Sequence, residues 1–458
     1  MRKLLLLSLA CLVGCQTVKR ARDAQNEADL HPGEKTVSAQ ALGLTEGRVV
    51  SLKELEEIAL QYHPDVVTAR ENVDSAMVSL GNAEWKNSPV LTANAGHSSS
   101  TDNTRLNSQS SRMRGKWSGG LNLNWTLLDF GRASAAEKKA RQDYRSAVEE
   151  LRKAEGKAVY NVRTAYFELK RCAELDKVAQ QEIEQYKEHL ERVKIQRSVG
   201  KSTAYQQTKA EVDWNNAVLN QLNTENNLKN AWGTLGRALG LAEEPVFSLG
   251  DGEMQEYPLE VESLLKVADE HEPGLASLNA KVEAASFYID QTVAELYPTL
   301  SLSLGATLNG GLSPTPPYIW NLNSAASLAQ TWFDGGARLR TIESAVIALR
   351  KARVQVASRH QELFQELRKA ILVARHAEKQ LEVSSLTERL ARHNLEIVNE
   401  QFRVGRASSV ERTDAQVSHS SASASLVSAK YSRQLAMASI SHLIGDYDLE
   451  YKKGGDSK

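Results

Sequence analysis

Apolar and polar residues alternate with a period of two in four short stretches of this chain and recur with helical spacing almost everywhere else. Leu121, Leu123, Trp125 and Leu127 alternate with Asn122, Asn124 and Thr126, and Leu300, Leu302, Leu304, Ala306 and Leu308 alternate with Ser301, Ser303, Gly305 and Thr307. Each is the pattern of a strand with one apolar and one polar face. Weaker versions run over 90–100 and 320–332, so strands are expected at about 89–101, 116–129, 298–310 and 319–334. Between them, 101–114 (Ser, Asn, Arg) and 311–318 (Pro314, Pro316, Pro317) read as exposed loops.

The helical stretches are long. From Arg132 to Ser198 there is no proline and one glycine, Gly156, while Ala, Leu, Lys, Arg, Glu and Gln dominate. At 1.5 Å per residue such a run reaches about 100 Å. A shorter helical unit starts at Leu52, Leu55, Ile58 and Ala59.

Both patterns occur twice. Asp129, Arg163, Gln196, Val199-Gly200, Ala210 and Gly240 return as Asp334, Arg368, Gln401, Val404-Gly405, Ala415 and Gly445, all 205 positions later (405 − 200). Leu52, Leu55, Ala59, Pro64, Val73, Ala76 and Pro89 return as Val261, Leu264, Ala268, Pro273, Val282, Ala285 and Pro298, 209 later (273 − 64). A constant offset marks duplication of one structural unit. The drop from 209 to 205 puts a four-residue length difference between Gly96 and Asp129, where the strands lie. The division that follows is a first repeat at 51–240 with its helical tip at 199–202, a linker at 241–259, a second repeat at 260–445 with its tip at 404–408, and a tail at 446–458.

The start of the chain has Arg2 and Lys3, an apolar run from Leu4 to Val13, and then Leu12-Val13-Gly14-Cys15. This is a signal peptide over 1–14, too short to span a bilayer as a helix. Its end resembles the lipobox of bacterial lipoproteins, which implies lipid attachment at Cys15. Gln16, in place of a retaining aspartate, points to the outer membrane. Residues 15–50 are polar and mixed in charge, as in a tether.

Composition removes several functions. With 56 basic and 57 acidic residues there is no basic footprint for nucleic acid. A mean hydropathy of −0.42, and no other apolar run near twenty residues, leave no transmembrane helix. Of the three cysteines, Cys11 leaves with the signal and Cys15 takes lipid, so Cys172 has no intrachain partner. Gly200-Lys201-Ser202-Thr203 imitates the end of a phosphate-binding loop, but Ile195 stands where its first glycine belongs. The ten histidines form no zinc motif, and Ser421, Ser423 and Ser425 read as close helix packing. No catalytic residue, cofactor or metal is expected, and the chain is not an enzyme.

Four strands per chain expose edges, and in lipid an open edge leaves backbone groups unsatisfied. Several chains must therefore share one barrel, and three chains give twelve strands. The doubled order of helix, strand, loop, strand, long helix, Val-Gly tip and returning helix resembles the TolC-type outer membrane factor family. Its marks here are Tyr297 to Leu300, Phe333 to Gly336 with its twin Leu128 to Gly131, and the tips at Val199 to Ser202 and Val404 to Ala407.

The resemblance implies a mainly α fold with a membrane β-barrel portion. Long helical hairpins of three copies form an α-barrel tunnel, and each copy gives four strands to a twelve-stranded barrel. It implies a homotrimer in the outer membrane, served by a periplasmic adaptor and an inner-membrane RND or ABC pump, that exports drugs or metal ions. It places adaptor docking at Val199, Gly200, Val404 and Gly405, and a periplasmic acidic gate at Glu411 and Asp414. The alternatives are a type I protein secretion channel and a non-channel helical scaffold of the envelope.

Overall fold

The computed structural model describes residues 21, 39–44, 47–102, 112–200, 202–241, 247–250, 252–311 and 319–447. Cys15, the signal stretch, Lys201 and most of the two hairpin loops lie outside them. After a 3-10 turn at Ala39–Leu42, the first repeat runs β1 (Val49–Val50), α1 (Leu52–Tyr62), α2 (Pro64–Glu84), β2 (Val90–Asp102), β3 (Arg112–Leu128), α3 (Arg132–Ser198) and α4 (Ala204–Ala238). The second runs β4 (Ser248–Leu249), α5 (Val261–His271), α6 (Pro273–Ala294), β5 (Thr299–Gly311), β6 (Ile319–Ala329), α7 (Ala337–Arg403) and α8 (Ser409–Ile444).

The twin prolines open α2 and α6, where a missing N–H costs nothing. The twin aspartates start the long helices. Asp129 accepts from the backbone N–H of Gly131 and Ala133, and Asp334 from Gly336, Ala337 and Arg338, satisfying first-turn donors. The lone glycine of α3 has a packing reason: a Cβ on Gly156 would come within 2.0 Å of the Tyr447 ring.

Two compact units emerge. One comprises Glu71–Glu150 and Gly274–Arg359 and holds the sheet; the other comprises Leu151–Pro273, His360–Lys458 and the chain up to Arg70. In the sheet unit, four antiparallel strands lie in the order β2-β3-β5-β6, so the two hairpins of the duplicated repeats join through β3 and β5. Leu127 bulges between the pairs Thr126 with Ser301 and Leu128 with Leu300. Paired residues share a face, so Leu91, Leu123, Leu304 and Ser324 form one row, while Thr92, Asn122, Gly305 and Asn323 form a row on the other side. The apolar side is open to solvent in the single chain, with Trp320 75% and Leu322 85% exposed. Among the described residues, β2 and β6 each have a strand on one side only.

The helical unit is built on Leu55, Ala59, Val162, Tyr166, Phe167, Leu169, Leu235 and Leu239, all buried. Here the sequence expectation needs correcting. The stretch to residue 50 is not tether throughout: Ala39, Leu44 and Val50 are buried in this core, and β1 pairs in parallel with β4 from the expected linker. Phe247 of that linker is also buried and stacks edge-on against Trp232. A few apolar side chains in polar surroundings sufficed, because the groove that receives them is made elsewhere in the chain. The strands also differ in extent. Strand β3 begins at Arg112 and β2 reaches Asp102, both inside the expected loop, whereas β6 stops at Ala329, short of residue 334. Among the described residues no helix is long and apolar enough to cross a membrane.

Candidate functional site: helical tips and sheet faces

At the first tip, Gly200 takes φ +74° and its N–H donates to Arg197 O over 3.0 Å, ending α3. At the second, Gly405 takes φ +74° and donates to Phe402 O over 3.1 Å, ending α7. A left-handed residue without Cβ fits both turns. Val199 and Val404 are each 63% exposed, and open space surrounds both glycines. The two tips thus present the same apolar side chain beside a bare backbone.

The return helices begin with capping boxes. Thr203 and Gln206 exchange bonds, the Thr203 N–H donating to Gln206 Oε1 over 2.9 Å. Their twins are Ser408 and Glu411, with Ser408 N–H donating to Glu411 Oε2 over 2.6 Å. Glu411 is therefore tied to the backbone of its own helix start. The Ser408 N–H, with its hydroxyl, holds the carboxyl below the usual range. The sequence carried this signal, since Ser-x-x-Glu is a capping box.

Asp414 is exposed, and its charge acts on a carboxylate of the other hairpin. Burial raises the Asp213 carboxyl, Lys209 pulls it down and Asp414 pushes it up again, so Asp213 lies within the field of Asp414. Asp213 escaped the sequence reading because its twin position is Ser418 and it belongs to the other hairpin. Glu411 and Asp414, three residues apart in α8, thus differ in what surrounds them. Glu411 caps, and Asp414 stands with Asp213.

Beside the second tip, His189 of α3 is 2% exposed. Its Nε2 lies 3.2 Å from Ser409 Oγ, in the first turn of α8, and its ring stacks edge-on against Phe402 of α7. Nδ1 is buried without a partner. Burial, then the charges of Arg412 and Arg192, push its pKa down to about 4. Arg412 is itself buried, held by Asn399 over 2.9 Å. The Tyr186 hydroxyl, one helical turn away, is pushed up to about 12 by burial, with Glu182 and Asp213 adding to it. A neutral histidine thus joins the first hairpin to the second tip.

In the sheet unit the polar face is bonded within itself. Asn122 Nδ2 donates to Asn94 Oδ1 over 3.1 Å, Ser301 and Ser327 hydroxyls lie 2.9 Å apart, and Thr92 Oγ1 donates to Asn122 O. Gly120 and Gly305 make room for the asparagines, since a Cβ at either would lie 2.9 Å from the Oδ1 of Asn94 or Asn122. Among the described residues no group of three metal-binding side chains occurs.

The sequence pattern of the family described as Outer membrane efflux protein matches residues 55–241 and 264–446. Among solved structures, the CmeC outer membrane channel of Campylobacter jejuni is similar in fold at 18% identity, covering 86% of this chain and 85% of its own with a TM-score of 0.76. The outer membrane protein VceC of Vibrio cholerae is 18% identical, covers 86% and 96%, and has a TM-score of 0.72. The MtrE outer membrane channel of Neisseria gonorrhoeae in its open state is 20% identical over 86% and 88%, with a TM-score of 0.70. No protein of curated function matches this chain in sequence.

Proposed function

For a chain that belongs to the outer membrane efflux protein family, we propose a homotrimeric outer membrane channel that passively exports small molecules, drugs or metal ions. A periplasmic adaptor and an inner-membrane RND or ABC pump deliver them. The observation that carries this reading is the sheet: four antiparallel strands with an exposed apolar face, a polar face, and partners lacking at both outer edges among the described residues. In lipid such edges must pair, and three copies close a twelve-stranded barrel with the apolar face outward.

The helical unit supports the same assembly. Tyr205, Val212 and Leu219 on α4, and Val383, Leu390 and Ile397 on α7, form two exposed apolar stripes of seven-residue spacing. That is the spacing of helices that pack side by side. In the α-barrel tunnel of this reading, each copy lays one stripe against a neighbour.

Val199, Gly200, Val404 and Gly405 form the adaptor-docking tips, because a bare glycine backbone beside a valine admits the close approach of a helical hairpin. Asp414, with Asp213 beside it, provides the acidic gate at the periplasmic entrance, and Glu411 keeps the loop before it in place. Cys15 carries the lipid anchor. The test is the native mass of detergent-extracted protein from separated outer membranes. A heat-labile trimer is expected. A monomer, or release by salt without detergent, overturns the channel.

A further inference from the structure

The polar face of the sheet is almost without charge. Its rows run Thr126, Ser301 and Ser327; then Asn124, Ser303 and Ala325; then Asn122, Gly305 and Asn323; then Gly120, Thr307 and Asn321; then Ser118, Asn309 and Ile319. The next position of this phase on β3 is Lys116, opposite Ser98 on one side and Gly311 on the other, at the hairpin-loop end of the strand. Lys116 is exposed, and it is the one ionisable residue on this face along the rows from Thr126 to Lys116. The backbone register continues the same phase toward the loop through Arg114, opposite Ser100, and Arg112, opposite Asp102.

We propose that Lys116 sets the charge preference of the barrel mouth, drawing anions and anionic cargo into the exit. This rests on the reading that three copies close the barrel with the polar face inward. Three ammonium groups then ring a narrow water-filled passage. Along the rows from Thr126 to Lys116 the other residues are amides, hydroxyls and glycines, with Val90, Ala325 and Ile319, and none of them carries a charge to oppose the ammonium groups. Fixed charge of one sign in a confined pore raises the local concentration of the opposite ion. The rows from Thr126 to Ser118 add no net charge of their own, so reversing the charge at Lys116 should shift the preference at this end.

The experiment is ion selectivity of the purified full-length protein in planar bilayers under a potassium chloride gradient at neutral pH. Wild type is compared with Lys116→Gln and Lys116→Glu, each shown to run as the same heat-labile trimer. At about 10 mM salt the chloride-to-potassium permeability ratio should fall about twofold or more in Lys116→Glu. The shift should vanish near about 1 M, where screening acts within ~3 Å. Lys116→Cys gives the same answer without a second fold: an anionic thiol reagent should lower the ratio and a cationic one raise it. If the Lys116 variants leave the ratio unchanged while Asn124→Glu shifts it, the face lines the lumen but Lys116 does not govern the mouth, and the proposal is overturned. If Asn124→Glu is also silent, or the wild type shows no conductance, the barrel reading falls and this proposal with it.

Discussion

Arg163 Nε donates to Glu56 Oε1 over 2.7 Å, with the two side chains only 7% and 8% exposed. The same guanidinium donates to Ser441 Oγ over 2.8 Å and to Tyr447 O over 3.1 Å, so one residue of α3 ties α1 to the end of α8. Removing one partner of a buried ion pair strands the other charge, at a cost of about 3–5 kcal/mol. Glu56→Ala and Arg163→Ala should each lower the thermal unfolding midpoint in detergent strongly. Arg163→Met with Glu56→Leu should recover much of the loss. The twin Arg368 is exposed in the chain, and Leu265 stands at the position twinned with Glu56. Arg368→Met should therefore destabilise the fold of the chain far less than Arg163→Met.

Gly200 and Gly405 sit at positive φ with nothing within 4 Å of a would-be Cβ, so substitution strains the backbone without a clash. Gly405→Ala should cost about 1–2 kcal/mol of local stability. Faster hydrogen exchange at Arg406 N–H, which donates to Gln401 O over 2.8 Å, would report it. Unchanged exchange there would mean the turn is not held by this geometry.

The two acids of the second tip should respond differently. Glu411→Gln keeps the capping box, as Gln206 does in the first tip, and should leave exchange at Ser408 N–H unchanged. Glu411→Ala should expose that N–H and speed its exchange. Asp414→Asn should leave exchange alone and weaken cation selectivity and block by multivalent cations in bilayers.

Acid should loosen the second tip through His189. The folded-state pKa of about 4 lies below the ordinary 6.5, so the unfolded chain takes up a proton first as pH falls. Stability is full above about 6.5, declines between that and about 4, and then levels off, with a total loss of roughly 3 kcal/mol. Unfolding midpoints from pH 7 to pH 4 should fall less steeply in His189→Gln than in wild type, about the window set by that shift.

Side chains on opposite sides of β6 should tolerate charge unequally. Leu322→Arg places a guanidinium on the apolar side, which in the proposed barrel faces lipid, at a cost of about 2–4 kcal/mol near the membrane midplane. It should sharply reduce the heat-labile trimer recovered from outer membranes. Its neighbour Asn323→Arg lies on the polar side and should assemble as wild type does. Equal recovery of the two would mean that the apolar face does not meet lipid.

The sequence by itself determined whatever is local or periodic. Alternation at Leu121, Leu123 and Trp125 fixes the faces of β3 up to its bulge at Leu127, a run of helix formers fixes α3 to its last residue, and the 205-residue offset predicts that Asp129 and Asp334 do the same work. These follow from contacts within a few residues, or within one repeat copied twice. Only the tertiary structure decided what joins distant parts. Val50 and Leu249 pair across β1 and β4, Tyr447 packs over Gly156, and His189 reaches Ser409. Arg163 and Arg368 are identical in the duplication and opposite in burial, since burial depends on what the rest of the chain brings alongside. Asp414 likewise acquires its neighbour Asp213 from the other hairpin. Periodicity specifies which side of an element is apolar, but the residue that comes to lie against it is set by the packing of segments more than a hundred positions apart.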